Sequence, residues 1–147
     1  MKKSVILATI LLSMVGSGAA SASQEAQKLG VCMVDSLNGK ERKNLAKWIF
    51  LGMSSHSSIA PYSNVTQSDK ERSDQYVGTL ITRLIADDCP VQAKAASQVN
   101  GLIAFEQAFK VVGEVAMQEL MNEPAVGNAL GAFEQYMDKE KVNSVFK

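Results

Sequence analysis

The single histidine of this chain, His56, lies in the stretch GMSSHSSIAPYSN (residues 52–64), with two serines on each side of it. Serine and histidine can act as nucleophile and general base when the hydroxyl lies about 3 Å from the ring and a third group orients the base. Serines so close in sequence to the histidine do not easily reach that geometry, and the chain has no G-x-S-x-G motif. We therefore expect a structural or capping role for His56, with partner contact as the alternative and hydrolysis as a third hypothesis.

Two other sets of residues could hold a metal ion. Asp87 and Asp88 are adjacent carboxylates, and Met117 and Met121 stand one helical turn apart, which would suit a divalent cation and copper(I) respectively. Each set has a simpler explanation, because Asp88 can cap the next helix and methionine commonly fills gaps in helical cores. The carboxylates form no D-x-D, H-E-x-x-H or E-x-x-H pattern, so we expect no metal, no other cofactor and no enzymatic activity.

The start of the chain has the pattern of an export signal. Two lysines precede an apolar run from Val5 to Val15, and small residues follow, ending in Ala20-Ser21-Ala22. A positive start, an apolar run and an A-x-A-like end are typical of a cleaved signal peptide. We predict a signal over residues 1–22 and one mature domain over residues 23–147 in the periplasm or outside the cell, with no membrane insertion after cleavage.

Cys32 and Cys89 are the two cysteines of the chain, separated by 57 residues. In an oxidising compartment such a pair is predicted to form a structural disulfide. Closing a loop of this length would stabilise the fold by roughly 4 kcal/mol in the chain-entropy description.

The charge balance limits the possible partners. Without the two lysines of the signal, thirteen of the fifteen basic residues remain against fifteen acidic ones, a net charge of −2. Proteins that bind nucleic acid concentrate positive charge on one face, so this balance argues against nucleic acid and favours another protein as the partner. The sequence does not indicate the oligomeric state.

The apolar spacing is helical along nearly the whole mature chain. A first helix is predicted over residues 24–37, and a second begins at a capping box of Asn38 and Glu41. A third helix, about residues 69–88, is assigned a second capping box, Ser68 with Glu71. Helix continues over residues 91–122 with a bend at Asn100-Gly101, and it restarts at Pro124. The prediction is an all-α fold, an irregular bundle of five or six helices with one disulfide.

Each of the three central helices has an apolar stripe that we assign to the core. The stripes are Leu45, Trp48, Ile49, Gly52 and Met53 in the second helix; Val77, Leu80, Ile81, Leu84 and Ile85 in the third; and Leu102, Phe105, Phe109, Val112, Ala116 and Leu120 in the fourth.

The loop from Ser57 to Thr66 is the candidate interface. Ile59 and Tyr62 place apolar and aromatic groups outside any predicted helix, where they could anchor a partner, and His56 precedes them. The alternative is that Ile59 and Tyr62 cover the core.

The segment NGKERKNLAKWIFLGMSSHSSI (residues 38–59) resembles a segment of uncharacterised small secreted helical proteins of Gram-negative bacteria. In overall plan the chain is similar to periplasmic immunity proteins, which neutralise injected cell-wall-degrading toxins. The resemblance implies a non-enzymatic protein-binding module with immunity or inhibitor function. The alternative is a carrier whose bundle encloses a small apolar ligand between Trp48, Phe105, Phe109 and methionines.

Overall fold

A computed structural model describes residues 17–146, and the side chains of residues 24–146 apart from Asn100. Within this range there are six α-helices and no strand, which confirms the all-α prediction. The α-helices are α1 (Ser17–Asp35), α2 (Gly39–Met53), α3 (Gln67–Arg83), α4 (Pro90–Met121), α5 (Pro124–Gly131) and α6 (Lys139–Val145). With 3-10 turns at Ala60–Tyr62 and Ala132–Tyr136 and a π-helical segment at Leu84–Asp88, the helical segments slightly outnumber the five or six expected. The apolar run of the predicted signal lies outside the described residues.

Helix α2 begins at the predicted cap, and α3 begins at a different one. The Asn38 side chain accepts a hydrogen bond from the Glu41 backbone N–H at 3.0 Å, and the Glu41 carboxylate accepts one from the Asn38 N–H at 2.9 Å. In α3 the cap is Thr66, which pairs in the same reciprocal way with Asp69, so the predicted Ser68 cap is wrong. The pair Thr66 and Asp69 supplies the hydrogen bonds that we expected from Ser68 and Glu71, so α3 begins two residues earlier than predicted.

The core lies between α1, α2, α3 and α4. Helix α4 packs against α1 and α2, and α2 packs against α3. The largest completely buried side chains are Leu29, Met33, Leu84 and Cys89. Of the apolar stripe predicted for α3, Val77, Leu80 and Leu84 are buried, while Ile81 and Ile85 pack against the core from its edge.

Small residues form the inner face of α4, contrary to the prediction. Val112 and Ala116 are buried as expected, but Leu102 is 75% exposed and Phe109 is only partly covered. The positions that replace them in the core are Ala93, Ala96, Ala104 and Ala108. The backbone remains α-helical through Asn100 and Gly101, where a bend was expected.

The inner face of α4 consists of small residues because α1 and α4 approach each other closely. A Cβ atom placed on Gly30 of α1 would lie 2.8 Å from the Cβ of Val111 and 3.1 Å from the carbonyl oxygen of Ala108. Two helices so close leave room only for small side chains between them. The larger apolar side chains of α4 therefore lie on its outer surface.

The predicted disulfide is present between Cys32 of α1 and Cys89, which directly precedes α4. Cys89 follows the π-helical segment directly. Its backbone N–H donates to the carbonyl of Leu84, five residues earlier, at 2.9 Å, which is the hydrogen-bond spacing of a π-helix. Cys89 is completely buried and Cys32 is partly buried. The disulfide joins α1 to the residue between the π-helical segment and α4. Among the described residues, no helix has both the length and the apolar character to cross a membrane.

Candidate functional site

His56 lies just beyond the end of α2 and organises the turn that follows. Its carbonyl accepts the N–H groups of Ile59 and Ala60, both at 2.9 Å. Its ring Nδ1 accepts the N–H of Ser58 at 3.2 Å. The ring therefore bonds forward into the turn and not back to the last carbonyls of the helix.

No serine hydroxyl hydrogen-bonds the His56 ring in the part of the chain that the structure describes. Ser54 is buried, and its hydroxyl donates to the Leu51 carbonyl at 2.6 Å. Ser55 accepts a hydrogen bond from the Lys70 ammonium at 2.6 Å. These two nearby hydroxyls therefore hold the helix end and the neighbouring helix, and neither contacts the imidazole.

The 3-10 turn at Ala60–Tyr62 presents an exposed aromatic side chain on an ordered backbone. Tyr62 N–H bonds the Ile59 carbonyl at 2.9 Å, Ser63 N–H bonds the Ala60 carbonyl at 3.1 Å, and Pro61 restricts the backbone. Tyr62 is 91% exposed and Ile59 is 39% exposed. Tyr62 therefore does not cover the core, and Ile59 is not among the residues that pack against it.

A hydrogen bond joins the segment before this turn to the segment after it. The Lys70–Ser55 bond joins the start of α3 to the end of α2. At the start of α3, hydrogen bonds from the Thr66 side chain and backbone hold the pKa of the Asp69 carboxyl below its ordinary value. An ionised carboxylate at that position also interacts favourably with the helix dipole.

A groove lies between α2 and α3, and its wall reaches Ser55, which precedes His56 in the chain. It has a volume of about 390 Å³, and its walls include Trp48, Met53 and Ser55 from α2 and its end, and Lys70 and Asp74 from α3. The Trp48 indole N–H donates to the Asp74 carboxylate at 2.8 Å, which orients the ring. The groove thus combines apolar walls with one cation and one anion at its edge.

Trp48 and Met53 were assigned to the core, and this was wrong. Trp48 is 39% exposed and Met53 is exposed to a similar extent, whereas Leu45, Ala46 and Leu51 are the buried apolar residues of α2. Tryptophan carries a polar N–H that needs a partner, and the exposed Asp74 supplies one at the surface. Helical spacing alone does not reveal a partner on another helix.

An ion network links three segments on another part of the molecule, and its central pair, Arg83 and Glu41, was not predicted from the sequence. The Arg83 guanidinium lies 2.8 Å from the Glu41 carboxylate and 3.0 Å from that of Asp88. Burial by itself raises the pKa of Glu41, but hydrogen bonds from the Asn38 N–H and Arg83 outweigh burial, so the pKa lies below its ordinary value. The Glu41 carboxylate raises the pKa of Arg83.

This network gives a partner to one of the two adjacent aspartates, Asp88. We expected Asp88 to cap α4, and this was wrong. The N-cap position is Cys89, and the Cys89 side chain makes no capping hydrogen bond. The Arg83 charge stabilises Asp88 instead. The five-residue spacing of Arg83 and Asp88 fits the π-helical turn and is the one sequence signal that could have indicated the pair.

The candidate metal ligands are not assembled into a site in the described part of the chain. No group of three or more His, Cys, Asp or Glu is placed to hold a metal ion there. Met117 and Met121 were expected in the core, but both lie at the surface of α4, at 38% and 50% exposure. Their exposure follows from the small-residue inner face of α4.

The turn and the groove together offer an exposed aromatic side chain, apolar walls and two side chains of opposite charge. The resemblance to small secreted proteins of Gram-negative bacteria stays a prediction. No family model, no curated protein and no solved structure matches the chain.

Proposed function

We propose that this chain is a non-enzymatic protein-binding module of the bacterial periplasm that acts as an immunity or inhibitor protein. The observation that carries the proposal is Tyr62, which is 91% exposed on a hydrogen-bonded turn. An aromatic side chain on an ordered backbone offers a large contact area and loses little conformational entropy on binding. Such side chains are frequent anchors of protein interfaces.

The surroundings of Tyr62 support an interface centred on this turn. Ile59 adds apolar area, and the neighbouring groove adds Trp48, with Lys70 and Asp74 as polar groups. An apolar centre with a polar rim is the usual composition of a specific protein–protein interface. The disulfide fits an oxidising compartment, and the predicted signal peptide supports the periplasm.

The test is capture of a partner with matched variants. The complete chain, expressed with its own leader and tagged at Lys147, would be purified in oxidised form and passed through periplasmic extracts. Retained proteins would be identified by mass spectrometry. We expect one stoichiometric protein, and for the immunity function we expect it to be a cell-wall hydrolase whose activity on isolated peptidoglycan falls when this chain is added.

Two variants decide whether the proposed surface binds. Ile59→Asp with Tyr62→Ala removes the anchor, and Tyr76→Ala removes an exposed tyrosine of α3 that lies outside the turn and the groove, at 38% exposure. We expect the first to lose the partner with unchanged helicity by circular dichroism, and the second to keep it. Equal retention by both variants would show that this turn is not the interface, and a preparation that retains no protein would argue against the function.

A carrier of a small apolar ligand is the second candidate, favoured by the size of the groove. A volume of about 390 Å³ lies within the range of small-molecule sites. Trp48 lies in this surface groove, so a ligand would bind between α2 and α3. Trp48 is the only tryptophan, so its fluorescence reports on the groove directly. Saturable change on titration with a long-chain fatty acid would support the carrier, and an unchanged spectrum would count against it.

A further inference from the structure

The part of the chain after α4 has an extensive apolar surface that the other described residues leave uncovered. We call residues 124–146, which comprise α5, the second 3-10 turn and α6, the C-terminal arm. No residue of the arm is buried, and within the described residues α6 packs against no other helix. The arm contacts the bundle only where α5 follows α4. Its large apolar side chains expose between 36% and 84% of their surface; they are Leu130, Phe133, Tyr136, Met137, Val142, Val145 and Phe146.

The area of this surface is large for a monomer. With about 200 Å² for a fully exposed large side chain, the seven residues expose on the order of 800 Å². Apolar patches on monomeric proteins typically reach about 300–600 Å². A stable protein interface takes about 800 Å² from each partner, so the arm alone supplies roughly what one side of a dimer needs.

A second uncovered apolar surface lies on the same chain. We call it the outer face of α4, the side opposite the alanines that contact α1. Its exposed apolar residues are Val91, Leu102, Ile103, Phe109, Met117 and Met121. Over its 32 residues α4 is about 48 Å long, which gives the arm an extended surface to contact.

The charge of the arm favours a second copy over a lipid surface. The arm carries two lysines and three acidic residues, so its net charge is −1. Helices that bind anionic membranes are rich in lysine and arginine on their polar face, and this segment is not. A segment so close to neutral repels a copy of itself only weakly. Two-fold symmetry would let each copy contribute both surfaces, so that both become buried at once.

We propose that this chain forms a two-fold symmetric dimer in which the C-terminal arm of each copy covers the outer face of α4 of the other. Each copy then contributes the arm and the helix face to one reciprocal interface. The interface lies apart from the turn at Tyr62, so the dimer does not depend on the proposed immunity or inhibitor function.

The first experiment measures mass and connectivity. The complete chain, expressed with its leader and purified without a tag, would be examined by sedimentation velocity over a range of concentrations. Protein of natural isotopic composition would be mixed with ¹⁵N-labelled protein and treated with a lysine cross-linker. We expect twice the monomer mass and mixed-isotope cross-links between Lys110 of α4 and Lys139 or Lys141 of the arm. A monomer at every concentration, or cross-links within single chains only, would overturn the proposal.

Matched variants test the two surfaces. Leu102→Asp changes the outer face of α4, Phe133→Asp changes the arm, and Tyr62→Asp changes an exposed aromatic residue away from both. We expect each of the first two to raise the dimer dissociation constant by at least about tenfold, as for a central interface residue. The Tyr62 variant should remain dimeric, and all three should keep their helicity by circular dichroism. A dimer unaffected by both Leu102→Asp and Phe133→Asp would overturn this interface, and a Tyr62→Asp monomer would point to the turn instead.

Discussion

Single side chains in this protein act through partners that are distant in sequence. Glu41 completes the capping box of α2 and also binds Arg83, which lies 42 residues away. The capping role was predicted from the sequence, because Asn38 and Glu41 are three residues apart. The ion pair was not, because no local pattern brings α2 next to the end of α3.

The low pKa of Glu41 makes stability depend on pH. Its folded-state pKa lies below the ordinary value of 4.5, so its stabilising effect is complete above that value and is lost as the pH falls through the folded-state pKa. We expect the free energy of unfolding to decrease below pH 4.5, and Glu41→Gln to flatten that decrease. At neutral pH the substitution should cost about 1–3 kcal/mol, since it leaves part of Arg83 without a charged partner.

Chemical denaturation at a series of pH values provides the measurement. Glu114→Gln is the matched control, because Glu114 is exposed on α4. It should change the free energy of unfolding by no more than about 0.5 kcal/mol at any pH. A Glu41 variant with the same pH profile as the wild type would show that this carboxylate does not govern the acid sensitivity.

At the scale of the elements, the contact between α1 and α4 determines which side of α4 faces inward. Leucine and phenylalanine at helical spacing indicated one face, and the alanines between them form the core instead. Burying a larger side chain stabilises more only where there is space for it, and Gly30 lies too close to Val111 to leave that space. The outward placement of Leu102 is therefore a consequence of helix separation.

Glycine substitutions test this close contact. Gly30→Ala places a methyl group 2.8 Å from the Val111 Cβ, so the two helices must separate. We expect a loss of about 1–3 kcal/mol in the free energy of unfolding, the usual cost of overpacking. Gly78→Ala in α3 meets nothing within 4 Å and should stabilise by about 0.5–1 kcal/mol, the helix preference of alanine over glycine.

Urea unfolding of the two alanine variants beside the wild type distinguishes packing from helix propensity. Propensity alone would stabilise both variants, whereas the packing described above gives them opposite signs. A Gly30→Ala protein as stable as the wild type would mean that α1 and α4 are further apart in solution.

The whole molecule is a disulfide-linked bundle of four helices with an uncovered arm. Cys32–Cys89 joins α1 to the beginning of α4 and closes a loop across 57 residues that contains α2 and α3. The arm lies outside this loop, and none of its residues is buried. The disulfide and the proposed dimer interface therefore lie in different parts of the chain.

The double variant Cys32→Ser with Cys89→Ser should lose about 2–5 kcal/mol in the free energy of unfolding, because the unfolded chain is no longer constrained by the loop. Guanidinium unfolding of the variant, of the oxidised wild type and of the reduced wild type gives the comparison. The reduced wild type should match the variant. An oxidised wild type no more stable than the variant would contradict a stabilising role for the bond.

The sequence by itself determined the helical class, the start of α2 at its capping box, the ends of α4 and the pairing of the two cysteines. These depend on local spacing and on two cysteines having only each other. The tertiary structure alone decided that alanines of α4 face inward, that Trp48 borders a groove, that Arg83 joins Glu41 to Asp88 and that Tyr62 projects from the surface. Each of these depends on the distance and orientation of another helix, which apolar periodicity within one segment does not encode.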